Sequence, residues 1–193
     1  MNDLLIAAME LLQESDMKIL ALLILVLTIA PFTYGQSQQT MIIRLYYPNT
    51  NRDKGECSVK VHPVTRTIPR TASVARAVLE QLFAGPSSQE KAKGFYSDFS
   101  EATKSFLISV NVKNKAAYVN LRNLTSTTSI GNFTTSCGGS NLFGQVENTL
   151  QQFPTVKKVF FAMEGDPSLF YDWMQIGECP RELKHCDASN FIK

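Results

Sequence analysis

The stretch from Pro63 to Pro86, PVTRTIPRTASVARAVLEQLFAGP, constrains the fold of this 193-residue chain more than any other stretch. Its apolar residues recur at helical spacing, which predicts an amphipathic helix. The apolar positions are Val74, Ala75, Val78, Leu79, Leu82 and Phe83. Thr71 or Ser73 is the expected N-cap, and Gly85-Pro86 is the expected stop. Because such a helix must bury its apolar face, we expect it to pack across a sheet.

Alternation of polar and apolar residues predicts the strands of that sheet. Met41 to Tyr47 and Cys57 to Val61 each read as one strand, and Thr155 to Met163 reads as the last strand. Ser105 to Leu121 carries the strongest alternation and predicts a hairpin that turns at Lys113-Asn114-Lys115. A second amphipathic helix is expected, with Ser140 or Asn141 as its N-cap and Pro154 as its stop.

The first 35 residues are typical of an export signal. Met17-Lys18 precedes the apolar run ILALLILVLTIAPF, which is short for a membrane span and suits the core of a signal peptide. Residues 2–16 are acidic where a signal peptide is usually basic, and a start at Met17 would remove this conflict. We therefore expect residues 1–35 to be a signal peptide or N-terminal extension and residues 36–40 a linker. The product would be periplasmic or extracellular, with membrane attachment only if the segment stays uncleaved.

The charge of the exported part excludes one class of partner. The chain has 19 basic and 17 acidic residues, of which the first 35 residues hold one and four, so 18 and 13 remain. The basic residues are scattered, without the basic runs and interleaved aromatics of a nucleic-acid interface. We expect no nucleic acid as partner. A solvated surface explains the mild basicity, and loose attraction to an anionic wall polymer is the sharper alternative.

All four cysteines, Cys57, Cys137, Cys179 and Cys186, lie in the exported part. An even count in an exported chain predicts two disulfides, with three possible connectivities. One of them is expected to tie down the C-terminal tail, residues 167–193. His185 beside Cys186 suggests metal binding as the alternative, but no CxxC pair occurs, so no metal site is predicted.

Two groups of residues are candidates for a binding surface. Arg66 and Arg70 could grip a carboxylate or phosphate, although two solvated arginines are the plainer interpretation. Gly138, Gly139 and Ser140 precede the second predicted helix and could bind an anion through backbone N–H groups. An ordinary helix cap is the alternative.

The chain offers few groups for catalysis. Its only histidines are His62 and His185, and neither GxSxG nor HExxH occurs. Glu164 and Asp166 could serve a glycosidase in principle, but they stand in a predicted turn after a strand. We expect no catalytic residues and no cofactor.

The order of the segments LYYP, LEQLFAGP, SVNVKNKAAYVNL, GGS and VENTLQQFPTVKKVFFAMEG resembles the GerMN domain of bacterial sporulation, germination and cell-surface proteins. The resemblance covers about residues 41–165 and sets the predicted domain at 41–166. It implies an α+β fold with one small, mostly antiparallel or mixed sheet covered by two amphipathic helices, similar to ring-building-motif domains. It also implies a module without enzymatic activity. The chain departs from the family pattern by its single copy, by its four cysteines and tail, and by lacking a lipoprotein cysteine.

Two classes of function follow from the sequence. The first is an exported binding or assembly module of the cell envelope that contacts an envelope protein or an anionic wall polymer as a monomer or weak oligomer. It would act through a sheet edge, the polar loop from Arg122 to Ser140, or the surface around Arg66 and Arg70. The alternative is a hydrolase acting on a wall polymer, or a protein that binds a small ligand.

Overall fold

The computed structural model of this chain describes residues 39–53, 60–123, 133–180 and 182–192. The strands are β1 (Thr40–Tyr47), β2 (His62–Pro69), β3 (Leu107–Lys113), β4 (Ala116–Leu121) and β5 (Lys158–Met163). The α-helices are α1 (Val74–Phe83), α2 (Ser88–Ala92), α3 (Ser136–Gln151) and α4 (Pro167–Met174). Short 3-10 helices span Glu101–Phe106 and Ala188–Asn190. The predicted leader, residues 1–35, lies outside the described residues.

The strands form two small sheets. β1 and β2 form an antiparallel pair, and the second sheet has the order β3-β4-β5, antiparallel between β3 and β4 and parallel between β4 and β5. The predicted α+β class with antiparallel and mixed strands is confirmed. The prediction of a single sheet is wrong, since the five strands in the described residues form one sheet of two strands and another of three.

Helix α1 confirms the predicted amphipathic helix. Its buried residues are Val78, Leu79, Leu82 and Phe83. Ser73 occupies the N-cap position, although its side chain makes no capping hydrogen bond. Gly85 ends the segment with a φ of +76°, and a Cβ there would lie 2.2 Å from the carbonyl oxygen of Phe99. Only glycine fits this backbone approach.

Strand β2 lies one segment later than predicted. The expected strand at 57–61 falls partly outside the described residues, and Lys60 and Val61 are not in a strand. The observed strand contains both Pro63 and Pro69. A proline is tolerated in a strand where its missing N–H would face away from the sheet, and Pro63 and Pro69 occupy such outward positions.

Helix α3 covers the outer edge of β1. Gln152, the C-cap residue of α3, accepts a hydrogen bond from Arg44 N (3.0 Å) and donates one to Arg44 O (2.7 Å). Thr149 Oγ1 accepts a hydrogen bond from Tyr46 N at 3.1 Å. These side chains satisfy backbone groups that a neighbouring strand would otherwise satisfy. They also fix the C-terminal end of α3 against the sheet.

The predicted hairpin is confirmed as β3 and β4. Its two turn residues, Asn114 and Lys115, have φ angles of 52° and 60°, as a two-residue type I′ connection requires. One face of the resulting three-stranded sheet contributes Ala117, Val119 and Phe161 to the main core.

The C-terminal tail covers the other face of this sheet. Phe191 is fully buried there and meets the ring of Tyr118 edge-on. Ser109 Oγ donates to Phe191 O at 2.8 Å, and Asn111 Nδ2 donates to Asn190 O at 2.9 Å. The tail is therefore a structural layer that packs on the sheet.

A disulfide between Cys179 and Cys186 closes a loop within the tail, so this bridge does not tie the tail to the rest of the domain as predicted, because both cysteines belong to the tail. Both cysteines are buried, and the ring of His185 stacks on Phe160 of β5. Cys137 also forms a disulfide, whereas Cys57 lies outside the described residues. In the part of the chain that is described, no helix is long and apolar enough to cross a membrane.

We expect the Cys179–Cys186 disulfide to hold the tail on the sheet. Replacing both cysteines by alanine should lower the free energy of unfolding by about 2–3 kcal/mol, because the unfolded chain regains the entropy of an open loop. Limited proteolysis followed by mass spectrometry should show faster loss of the tail. Leu183→Ser, an exposed change inside the same loop, is the control. Equal cleavage rates in the double variant and the parent would contradict this role.

Candidate functional site

Arg66 lies in a network of internal hydrogen bonds. Its Nε and Nη2 donate to the Glu90 carboxylate at 3.0 and 2.6 Å. Nη1 donates to the backbone and side-chain oxygens of Gln81 at 3.0 and 3.4 Å, and Nη2 also donates to Gly85 O at 2.8 Å. A guanidinium has five N–H donors, so all five have acceptors. The network joins β2 to the C-terminal end of α1 and to α2.

The electrostatics of this network follow from burial and pairing. The Arg66 and Glu90 side chains are only 17% and 13% exposed. Burial disfavours the Glu90 carboxylate, but hydrogen bonds from Arg66 and Ser87 outweigh it and lower the pKa of Glu90. This carboxylate therefore stabilises the fold above its unfolded-state pKa, and the contribution is lost as the pH falls through the lowered value. Burial also raises the pKa of the nearby Tyr47 phenol.

The expected arginine surface is not assembled. Arg66 faces the interior network, whereas Arg70 follows β2 and lines a shallow depression with Gln39, Thr71 and Ala72. The hypothesis that both arginines grip one anion is therefore corrected, because the donors of Arg66 are already occupied. The pairing could not be predicted from the sequence, since Glu90 lies 24 positions from Arg66.

The glycine pair at 138 and 139 also differs from the prediction. Helix α3 begins at Ser136, with Thr135 as its N-cap, so Gly138, Gly139 and Ser140 lie inside the helix. Gly138 N donates to Thr135 Oγ1, and Gly139 N donates to Thr135 O. Both N–H groups are therefore already hydrogen-bonded to Thr135, so they are not available for the predicted anion site. Residues 124–132 of the polar loop lie outside the described residues.

Gly139 and Ser140 instead line an open cleft between the beginning of α3 and the end of α4. The cleft has a volume of about 330 Å³. Its lining residues are Thr134, Thr135, Ser136, Gly139, Ser140, Phe143, Met174, Gln175 and Ile176. None of these side chains ionises. Four hydroxyls and one carboxamide form the polar part, and Phe143, Met174 and Ile176 form the apolar part. We name these nine residues the α3–α4 cleft.

Two backbone features shape the α3–α4 cleft. A Cβ on Gly139 would lie 3.0 Å from Met174 Cε and 3.2 Å from Phe133 O, so glycine lets the end of α4 approach α3 closely. Gln175 caps α4 in the left-handed conformation, with a φ of 55°. This conformation costs a non-glycine residue on the order of 1 kcal/mol. The side chain of Gln175 lines the cleft.

The carboxylates considered for catalysis stabilise local structure. Glu164 Oε1 accepts from Asn123 N at 2.8 Å, and Asp166 caps α4 by accepting from Ser168 N at 2.8 Å. Elsewhere, burial raises the pKa of Asp98 and of Glu147. Neither of these two carboxyl groups lines the α3–α4 cleft.

His62 belongs to a local pair. Its Nε2 lies 2.9 Å from Asp53 Oδ2, which is the arrangement that orients a general base. Among the described residues, no serine, threonine or cysteine side chain hydrogen-bonds to this pair. The contact between His62 and Asp53 joins the chain on either side of residues 54–59, and we interpret its role as structural.

One cluster in the tail contains groups that bind metals. The sulfurs of Cys179 and Cys186 and a ring nitrogen of His185 lie within 4.8 Å of one another. The two sulfurs are bonded to each other, so they are not thiolate ligands in this state. The structure assigns this cluster to the disulfide that closes the tail loop.

The described residues thus form a small α+β domain with an uncharged surface cleft. In a comparison with protein families, residues 44–169 match the family described as "Germane: Sporulation and spore germination". Because the match spans more than half of the 193 residues, the chain belongs to this family. The GerMN resemblance seen in the sequence is confirmed.

Solved structures of the same kind of domain are similar to this chain. The tandem GerMN domains of the sporulation protein GerM from Bacillus subtilis match with 25% identity and a TM-score of 0.48. That match covers 65% of this chain and 39% of the tandem chain, well under two thirds of its length. The first GerMN domain of the same protein matches with 19% identity and a TM-score of 0.44, covering 65% of this chain and 84% of that chain. A search of curated proteins finds no significant match.

We predict that Arg66 is required for folding stability. Arg66→Met should lower the free energy of unfolding by about 3 kcal/mol, because it leaves the buried Glu90 carboxylate without its cationic partner and removes the guanidinium donors to the carbonyls of Gln81 and Gly85. Denaturant unfolding provides the measurement. Arg70→Met removes a neighbouring exposed arginine and should change stability by less than about 0.5 kcal/mol. Similar losses in the two variants would contradict the assignment.

Proposed function

We propose that this chain is an exported, non-enzymatic binding or assembly module of the cell envelope. Membership in a sporulation and spore germination family supports an envelope role. The apolar run before residue 36, with its signal-peptide length, supports export. The module acts as a monomer or weak oligomer.

The disulfides support a place outside the cytoplasm. Cys179 and Cys186 are bonded to each other, and Cys137 is also disulfide-bonded. Disulfides persist in oxidising compartments and are rare where cellular thiols stay reduced. The periplasm and the cell surface both meet this condition.

The α3–α4 cleft is the observation that carries the binding role. It has a volume within the range of small-ligand sites, about 300–1,000 Å³, and it combines hydroxyls with apolar side chains. None of the nine described residues that line it has a side chain that could act as a general acid or base. Binding without chemistry is the function that such a surface supports best.

The cleft also bears on the choice of partner. An anionic wall polymer would need cationic side chains or open N–H groups, and the described lining residues include no lysine or arginine. The N–H groups of Gly138 and Gly139 are already bonded to Thr135. An uncharged envelope component, protein or glycan, fits this surface better.

We expect the α3–α4 cleft to contact the partner in intact cells. A photo-crosslinking amino acid in place of Ile176, which is 50% exposed on the cleft, should yield adducts with an envelope component identifiable by mass spectrometry. The same amino acid in place of Ile42, 72% exposed on β1, is the matched control and should yield few adducts.

Two outcomes would contradict the proposal. One is a set of adducts made only with cytoplasmic proteins, which would exclude the envelope. The other is equal labelling from both positions, which would show that the cleft has no special role. The mass of the crosslinked chain also reports export, since cleavage of the leader should leave a chain that begins at Gln36.

A further inference from the structure

Three of the four hydroxyls of the α3–α4 cleft are available to a ligand, since the fourth, Thr135 Oγ1, already accepts from Gly138 N. Among the described residues, the side chains of Thr134, Ser136 and Ser140 have no hydrogen-bond partner within the protein. Each hydroxyl both donates and accepts. A ligand that presents hydroxyls of its own matches this set, because each pair can form in either direction.

The apolar groups lie beside these hydroxyls. Phe143 lines the cleft from α3, and Met174 lines it from the end of α4. Ile176 follows α4 and is half exposed. Phe143 is fixed in place, because its ring meets Phe161 and Phe170 edge-on at 5.3 and 6.1 Å. A rigid aromatic edge next to aliphatic groups suits a ligand with a small apolar face.

The described lining residues carry no charge, which argues against other classes of ligand. A phosphate or carboxylate would find no cation and no open helix N–H at Gly138 or Gly139. A cationic ligand would find no carboxylate. A peptide strand would need a row of backbone donors and acceptors, whereas this lining presents side-chain hydroxyls.

We propose that the α3–α4 cleft binds an uncharged, N-acetylated sugar segment of a glycan chain. Sugar hydroxyls pair with Thr134, Ser136 and Ser140, and the acetamido group pairs with the Gln175 carboxamide. The C–H face of the ring and the acetyl methyl pack on Phe143 and Ile176. This inference rests on the proposed binding function and adds the class of ligand to it.

Chitotetraose, an uncharged oligomer of N-acetylglucosamine, is the probe for this site. The chain has one tryptophan, Trp173, whose ring lies 6.1 Å from that of Phe170, and Phe170 in turn meets Phe143 of the cleft, so its fluorescence is the reporter. Titration of the full chain in detergent solution should give a saturable change in this fluorescence, with a calorimetric titration as the second measurement.

Two variants test the cleft without unfolding the protein. Gln175→Gly removes the carboxamide and relieves a left-handed residue, so stability should hold or rise while affinity falls by about five- to tenfold. Thr134→Val removes one exposed hydroxyl and should weaken binding by a similar factor. The matched control is Thr65→Val, an exposed threonine on β2 distant from the lining residues, which should leave the affinity unchanged.

The comparison ligands separate the possible outcomes. Absence of saturable binding to chitotetraose, or binding that neither cleft variant weakens, overturns the proposal. Binding of a glycerol-phosphate polymer or of a neutral alanine-serine peptide instead, sensitive to the same variants, overturns the glycan class and leaves the binding function standing. Cleavage of chitotetraose, detected by mass spectrometry, would contradict the non-enzymatic function and not the class of ligand.

Discussion

A two-stranded sheet leaves two strand edges unpaired, and in this protein the two edges are closed in different ways. The outer edge of β1 is covered by α3, whose Thr149 and Gln152 bond to the backbone of Arg44 and Tyr46. The outer edge of β2 carries prolines at 63 and 69, and its remaining outward N–H groups belong to Thr65 and Thr67. The contact of α3 with β1 also fixes the position of α3, and the position of α3 determines where the α3–α4 cleft forms.

Helix α3 connects the sheet to the candidate site. Its C-terminal end is held on β1, its buried Leu142, Val146 and Leu150 enter the main core, and its first turns line the cleft. In the same way, the hydrogen bonds of Arg66 hold α1 and α2 against β2. The two anchors use polar side chains that are hydrogen-bonded inside the protein, so the donors of Arg66 contribute to the stability of the fold.

Local patterns predicted most elements of the fold. The apolar spacing from Val74 to Phe83 and the alternation around the Asn114-Lys115 turn predicted α1 and the hairpin, because periodicity reports local geometry. The sequence predicts β2 too early, because Pro63 and Pro69 are typical strand breakers unless they lie on an edge. The predicted N-cap of α3, Ser140 or Asn141, lies after the observed cap, Thr135, because Gly138-Gly139 is typical of a loop. The partners of Arg66 and the lining of the cleft are contacts between distant segments, which one sequence without its fold does not reveal.

The central claim is that α3 closes the outer edge of β1, and amide hydrogen exchange tests it most directly. Among the described residues, no strand lies beside Arg44 and Tyr46 on this edge, and Thr65 and Thr67 provide an internal comparison on the opposite edge. If Gln152 and Thr149 accept their hydrogen bonds, the amides of Arg44 and Tyr46 exchange slowly, at rates close to those of the paired amides of β1, while Thr65 and Thr67 exchange fast. Equally fast exchange at all four amides would contradict the account.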